Sequence, residues 1–140
     1  MTTVVLWASR HNPLKVQVQE LKRKLGEDTV IVKGRSFYRD AGEVIDHAKQ
    51  VGATYIVAVL PLSMIARVTE IAKQHNITIL YAEMECTKKL YNYPNPNIDY
   101  NPTEETVIVV DTSKVGRIYK VFRFKQFHKI KAVKLELEPL

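Results

Sequence analysis

The sequence predicts an α/β fold: a three-layer, Rossmann-like, mostly parallel sheet with a C-terminal antiparallel β extension. Two observations support this fold class. The chain contains short apolar runs rich in β-branched residues, such as TTVVLWA and TYIVAVL, and these runs alternate with amphipathic helical patterns. Strands that are apolar on both faces and alternate with helices indicate a parallel sheet with right-handed crossovers. For the four core strands we expect an order of about 2-1-3-4.

Each core element is predicted from its local sequence. Strands are predicted at residues 2–8, 29–33, 54–60 and 77–83, where the chain is apolar. Helices are predicted at 13–25, 41–51 and 61–75, where apolar side chains recur at helical spacing. Asn12 is expected to cap the first helix, with Pro13 at its first position and Gly26 as its stop.

The pattern changes after residue 85. Residues 86–105 are rich in Asn, Pro and Tyr and lack periodicity, which predicts an ordered loop. Residues 106–140 predict a basic β extension, with a strand at 106–110 and alternating stretches at 117–125 and 129–138 that form a hairpin or meander. In the first stretch we expect the even-numbered Ile118, Phe122 and Phe124 to face the core. We predict that residues 1–140 form one domain, of which 1–85 are the Rossmann-like core.

Composition excludes several classes of protein. The chain is 46% hydrophobic and 26% charged, which is typical of a globular fold and not of a disordered chain. The single cysteine, Cys86, supports neither a disulfide scaffold nor a zinc module, so we expect a reducing, cytoplasmic setting. The start MTTVVLWA is too short and uncharged for a signal peptide, and no apolar run is long enough to span a bilayer. We therefore expect no membrane partner.

The net charge of +6 comes from one end of the chain. Residues 1–113 contain 13 basic and 13 acidic side chains, whereas residues 114–140 contain 8 and 2. A basic excess of this kind attracts polyanions. The cations Arg117, Arg123 and Lys125 therefore make this segment a candidate nucleic-acid surface. The alternative is a solvated strand face whose charges protect a sheet edge from aggregation.

The candidate ligand site follows from the fold. In an open parallel sheet, ligands bind at the carboxyl ends of the strands, where the strand order reverses. Two loops are expected to meet there, and their candidate binding residues are Ser9, Arg10, His11 and Asn12 in the first and Leu60, Pro61, Ser63 and Met64 in the second. Serine hydroxyls, a guanidinium and the N-termini of the first and third helices all favour an anion. For Asn12 and Ser63 the alternative role is helix capping.

The fourth strand adds further candidates. Glu83 and Glu85 at its end, followed by Lys88, are candidates for acid/base work or for contacts with sugar hydroxyls. The chain has no G-x-G-x-x-G, G-x-x-x-x-G-K-[ST] or G-x-S-x-G motif, which disfavours a classical dinucleotide site, a P-loop and acyl transfer. We expect neither a metal nor another cofactor.

Two stretches carry a family resemblance. VVLWASRH and IVAVLPLSMIARV, with ITILYAEME as a further core strand, resemble the small CRISPR-associated Rossmann-like proteins of the CARF and ring-nuclease superfamily over about residues 3–85. The resemblance implies an antiviral role and binding of a cyclic oligoadenylate, usually across a homodimer, with metal-free cleavage in some members. It also implies that Arg10 stabilises charge, that His11 transfers a proton, and that Ser9 and Ser63 position phosphates.

The chain departs from that family in two places. It has ECTKKL at 85–90 where an Arg-Gly-x-Glu element would stand, and it carries the basic extension. The sequence therefore predicts binding, with metal-free cleavage by a ring nuclease as an open question. The alternative is a non-enzymatic nucleic-acid-binding or regulatory protein that uses the C-terminal segment. A third hypothesis is an assembly subunit whose C-terminal hairpin forms a dimer interface.

Overall fold

The computed structural model describes residues 2–114, 116–134 and 136–140. Over these residues the chain is an α/β protein with a six-stranded mixed sheet and three helices, which confirms the α/β part of the prediction. The strands are β1 (Val4–Ala8), β2 (Val30–Lys33), β3 (Tyr55–Ala58), β4 (Thr78–Leu90), β5 (Glu105–Thr112) and β6 (Gly116–Lys129). The helices are α1 (Lys15–Leu25), α2 (Ala41–Gln50) and α3 (Leu62–Gln74).

The strands are hydrogen-bonded in the order β2-β1-β3-β4-β6-β5. β1 lies parallel to both β2 and β3, and β3 lies parallel to β4. Trp7 is in register with Lys33, and Ala8 is in register with Ala58. The carboxyl ends of β1, β2 and β3 therefore lie side by side, and the three loops that follow these strands start at one edge of the sheet.

The chain forms two compact units. The first comprises Met1–Asn12, Asp28–Tyr81 and His128–Leu140, and the second comprises Pro13–Glu27 and Ala82–Phe127. The first unit thus contains β1, β2, β3, the start of β4, α2 and α3.

The core of the first unit lies where α2 and α3 pack together against the sheet. Leu6, Ile56 and Ile79 are the large sheet residues of this core, and Val44 and Val68 are fully buried helix residues. The opposite faces of β1 and β3 are buried as well, since Val5, Trp7 and Val57 have almost no exposed surface. Burial on both faces is what the uninterrupted apolar runs of these strands predict.

The start of α2 is held by two hydrogen bonds from backbone N–H groups to carboxylates. The Asp40 carboxylate accepts from the Glu43 N–H at 3.0 Å, and the Glu43 carboxylate accepts from the Arg39 N–H at 2.8 Å. Side chains at a helix start satisfy N–H groups that have no partner inside the helix. These bonds fix the end of the loop that joins β2 to α2.

The chain after residue 85 corrects three predictions. Cys86–Leu90 was predicted as loop, but β4 runs on through Leu90. β6 extends to Lys129, and the described residues of 130–140 form no strand, so the hairpin consists of β5 and β6 and not of 117–125 with 129–138. The expected core face of β6 is also wrong: Tyr119 and Val121 are buried, whereas Ile118, Phe122 and Phe124 are half-buried.

The predicted cap of the first helix is also wrong. The N-cap of α1 is Leu14, and the Gln17 side chain accepts a hydrogen bond from the Leu14 N–H at 2.8 Å. Asn12 precedes a proline, which disfavours the helical conformation at that position, and the helix begins two residues later than predicted. Gly26 ends the helix as predicted. Within the described ranges, no helix combines the length and the apolar character that crossing a membrane requires.

Candidate functional site

A cavity of about 610 Å³ opens in the first unit, at the edge where β1, β2 and β3 end. Three loops and the start of α3 line it, with the residues Ser9, Arg10, Arg35, Ser36, Phe37, Tyr38, Val59, Leu60, Pro61 and Met64. Its volume is within the range of about 300 to 1,000 Å³ that small-molecule sites occupy. We therefore treat this cavity as the candidate ligand site.

The structure brings together five of the eight residues expected in the two crevice loops. Ser9, Arg10, Leu60, Pro61 and Met64 line the cavity. The others are not among its lining residues: His11, Asn12 and Ser63, all of them exposed.

The acidic candidates on the fourth strand lie in the second unit. Glu83 accepts a long hydrogen bond from Gln126 at 3.4 Å, and Glu85 forms an ion pair with Lys125 at 3.7 Å. Lys88 lines a separate depression of about 320 Å³ formed by residues of 97–105. The prediction placed these residues at a strand end, but β4 continues past them to Leu90.

Sequence reasoning missed the loop after β2, which contributes Arg35, Ser36, Phe37 and Tyr38. The signal was present in the stretch GRSFYRD, which combines cations, a serine and two aromatic rings. The strand order placed β2 beside β1, so the loop after β2 was bound to emerge at the same edge. The prediction considered only the strands on either side of the order reversal.

The loop after β1 is held in place by three hydrogen bonds. The Trp7 indole N–H donates to the His11 carbonyl at 2.8 Å, and the His11 N–H donates to Ser9 Oγ at 3.1 Å. Lys33 donates from Nζ to the Arg10 carbonyl at 3.2 Å. The buried Ser9 hydroxyl therefore shapes the turn, His11 contributes through its backbone, and the Arg10 side chain projects from a fixed backbone.

The loop after β2 is anchored in a comparable way. The Gly34 N–H donates to the Trp7 carbonyl at 2.8 Å, and the Arg35 N–H donates to the Tyr38 hydroxyl at 3.0 Å. The Tyr38 hydroxyl lies 2.8 Å from Nδ1 of His47 on α2. The Arg35 guanidinium carbon is 5.9 Å from the centre of the Tyr38 ring, a cation–π distance.

The charge at the cavity is positive. Within the part of the chain that the structure describes, Arg10 and Arg35 have no carboxylate partner within 4.0 Å, and no carboxylate lines the cavity. α3 begins at the cavity with no acidic residue in its first turn, and its first N–H groups have no partner inside the helix. The first helix, also expected here, belongs to the second unit. Two guanidiniums and one helix N-terminus therefore favour an anion.

The surroundings of His47 favour its neutral form. Burial, together with the positive charge of Arg35, lowers the pKa of His47 below its ordinary value. A neutral imidazole has one ring nitrogen with a lone pair and one with a proton, and its Nδ1 lies 2.8 Å from the Tyr38 hydroxyl.

We searched the structure for clusters of metal-ligating side chains. Over the described ranges, no three side chains among His, Cys, Asp and Glu come close enough to hold a metal ion.

The candidate nucleic-acid cations of β6 are each paired with a carboxylate of the second unit. These exposed pairs are Arg117 with Asp111 at 3.3 Å, Arg123 with Glu104 at 3.7 Å, and Lys125 with Glu85 at 3.7 Å. We call β6 with these paired cations the β6 ribbon, and its local charge is closer to balance than its sequence indicates.

Comparison with protein-family models, with curated proteins and with solved structures gave no match to this chain.

Proposed function

We propose that this protein binds an anionic nucleotide in the cavity at the ends of β1, β2 and β3, and that its first four strands belong to a Rossmann-like fold. The observation that carries the proposal is the pair Arg10 and Arg35, which line one cavity without a carboxylate partner among the described residues. Planar guanidiniums bind phosphate through two parallel hydrogen bonds. An anion that bridges them would also meet the N-terminus of α3.

The apolar part of the lining favours a nucleotide over a simple anion. Phe37 lines the cavity with 75% of its surface exposed, and Val59 is also largely exposed. Leu60 and Met64 add further apolar surface. An exposed aromatic ring beside a phosphate site provides a stacking surface for a base. The volume of about 610 Å³ is also far larger than a phosphate ion requires.

Within the nucleotides, we propose the cyclic oligoadenylates. Arg10 and Arg35 lie on separate loops, an arrangement that suits a ligand with several phosphates better than a ligand with one. The resemblance of VVLWASRH and IVAVLPLSMIARV to the CARF and ring-nuclease superfamily supports the same ligand class and a homodimeric assembly.

The geometry supports binding more strongly than cleavage. Metal-free cleavage requires a 2′-hydroxyl in line with its phosphorus and a group that accepts its proton. Arg10 lines the cavity, where its guanidinium would stabilise the developing charge, but His11, the expected proton-transfer residue, is not among the lining residues. We therefore propose a sensor-like binding function and treat cleavage as a separate outcome of the same experiment. The paired cations of the β6 ribbon give no comparable support to the nucleic-acid alternative.

The test is isothermal titration calorimetry with cyclic tetra-adenylate in EDTA, on the wild type and on Arg10→Ala and Arg35→Ala. The matched control is Arg67→Ala, because Arg67 is an exposed arginine of α3 that pairs with Glu70 and does not line the cavity. We expect each cavity variant to bind about 10- to 100-fold more weakly, the value of one charge-assisted contact, and the control to bind normally. Chromatography of the same mixtures reports any linear product. Wild-type protein that binds no cyclic tetra-adenylate would refute the proposal.

A further inference from the structure

We propose that Tyr38 and His47 are positioning residues that hold Arg35 at the cavity. The Tyr38 hydroxyl donates a hydrogen bond to His47, and this bond orients the hydroxyl so that it accepts a hydrogen bond from the backbone N–H of Arg35. The expected effect on nucleotide affinity rests on the function proposed above. The expected effect on the position of Arg35 is independent of that function, and it can be measured in the protein without a ligand.

The direction of both hydrogen bonds follows from a count of protons. A tyrosine hydroxyl has one proton to donate and two lone pairs that accept. The Arg35 N–H only donates, so the hydroxyl accepts from it at 3.0 Å. The hydroxyl proton is then available for Nδ1 of His47 at 2.8 Å, which places the imidazole proton on Nε2. Tyr38 is only 3% exposed, so a hydroxyl proton without this acceptor would be left unsatisfied.

The Tyr38 hydroxyl also packs closely against the loop backbone at Gly34. A Cβ atom at Gly34 would lie 2.6 Å from the Tyr38 hydroxyl and 2.7 Å from the Trp7 carbonyl oxygen. The next residue is Arg35, whose N–H is bonded to that hydroxyl and whose guanidinium lies over the same ring. Both the backbone and the side chain of Arg35 therefore take their position from Tyr38, and Tyr38 takes its orientation from His47.

Three variants separate this role from simple packing. Tyr38→Phe keeps the ring and removes the hydroxyl. His47→Leu removes the acceptor, whereas His47→Asn keeps a hydrogen-bond acceptor near the position of Nδ1. The controls are Tyr81→Phe and His75→Leu, because both side chains are exposed and neither lines the cavity.

The first readout is hydrogen exchange of the Arg35 amide in the protein without ligand, with the Val44 amide in the core as a reference for global stability. We expect exchange at Arg35 to become about tenfold faster in Tyr38→Phe and His47→Leu, the value of one lost hydrogen bond. Exchange should remain within about twofold of the wild type in His47→Asn and in both controls. Unchanged exchange in Tyr38→Phe and His47→Leu would overturn the proposal, as would an Asn variant that behaves like the Leu variant.

The second readout is affinity for cyclic tetra-adenylate. We expect it to fall about tenfold in Tyr38→Phe and His47→Leu and to be restored in His47→Asn. Accelerated Arg35 exchange without a loss of affinity would overturn the claim that this positioning serves the ligand. If no protein in the series binds the nucleotide, the proposed function fails, and the exchange data still decide whether Tyr38 and His47 position Arg35.

Discussion

Gly34, in the loop after β2, packs closely against the end of β1, and Gly34→Ala tests whether this contact supports the site. The added Cβ would meet the Tyr38 hydroxyl at 2.6 Å, the Trp7 carbonyl oxygen at 2.7 Å and the Ala8 Cα at 3.2 Å. Two of these atoms belong to the backbone of a buried strand, and the third belongs to a buried ring. None of them can move aside cheaply, so the loop must shift instead.

The size of the effect follows from what that shift disturbs. It strains two hydrogen bonds, from the Gly34 N–H to the Trp7 carbonyl at 2.8 Å and from the Arg35 N–H to the Tyr38 hydroxyl at 3.0 Å. Each is worth about 0.5 to 1.5 kcal/mol net, and overpacking adds about 1 to 3 kcal/mol. We expect Gly34→Ala to lower the free energy of unfolding by about 2 to 4 kcal/mol.

The assay is urea denaturation followed by tryptophan fluorescence, since the only tryptophan of the chain, Trp7, lies at this contact. The control is Gly42→Ala in α2, whose Cβ would meet only the end of the exposed Asp40 side chain, at 3.2 Å. Alanine is the better helix former, but the added Cβ lies close to the Asp40 oxygen that caps α2, so this control should stay within about 1 kcal/mol of the wild type. A Gly34→Ala protein within about 0.5 kcal/mol of the wild type would refute the reasoning.

Two further predictions concern charge. Because burial and the charge of Arg35 lower the pKa of His47, the unfolded chain binds this proton more readily, and stability should fall as the pH drops below about 6.5. The urea midpoint of unfolding should fall less between pH 7 and pH 5 in His47→Asn than in the wild type. An equal fall in both proteins would show that His47 does not contribute to this loss of stability. Replacement of Arg117, Arg123 and Lys125 by Gln should leave the salt dependence of single-stranded DNA binding unchanged, because each cation already has a carboxylate partner. A shallower dependence, measured by fluorescence anisotropy, would instead make the ribbon a nucleic-acid surface.

The α/β class was predictable because the core elements carry strong local signals. β1 and β3 are buried on both faces and read as continuous apolar runs, and α2 presents Val44, Ile45 and Ala48 at helical spacing. The cavity loops after β1 and β3 were predictable for the same reason, since parallel strands bring their carboxyl ends to one edge.

The errors fall where tertiary contacts override local pattern. The charged stretch at 86–90 has no apolar alternation, yet it continues a strand that had already begun. In β6 the phenylalanines did not mark the core face, because Tyr119 and Val121 are the side chains that packing buries. Arg35 and Tyr38 were missed because the loop after β2 was not considered, although the strand order brings it to the same edge. The contact of Tyr38 with His47 on α2 could not be predicted, because no local pattern indicates it.

Arg10 and Arg35, which line one cavity, are the proposed anion-binding pair on which the proposed function depends most directly. The decisive measurement is calorimetric titration of cyclic tetra-adenylate in EDTA into the wild type, the Arg10→Ala/Arg35→Ala double variant and the Arg67→Ala control. We predict binding by the wild type and the control, and loss of affinity by at least about 100-fold in the double variant, the sum of two charge-assisted contacts. Equal affinity in all three proteins, or no binding by the wild type, would contradict the account.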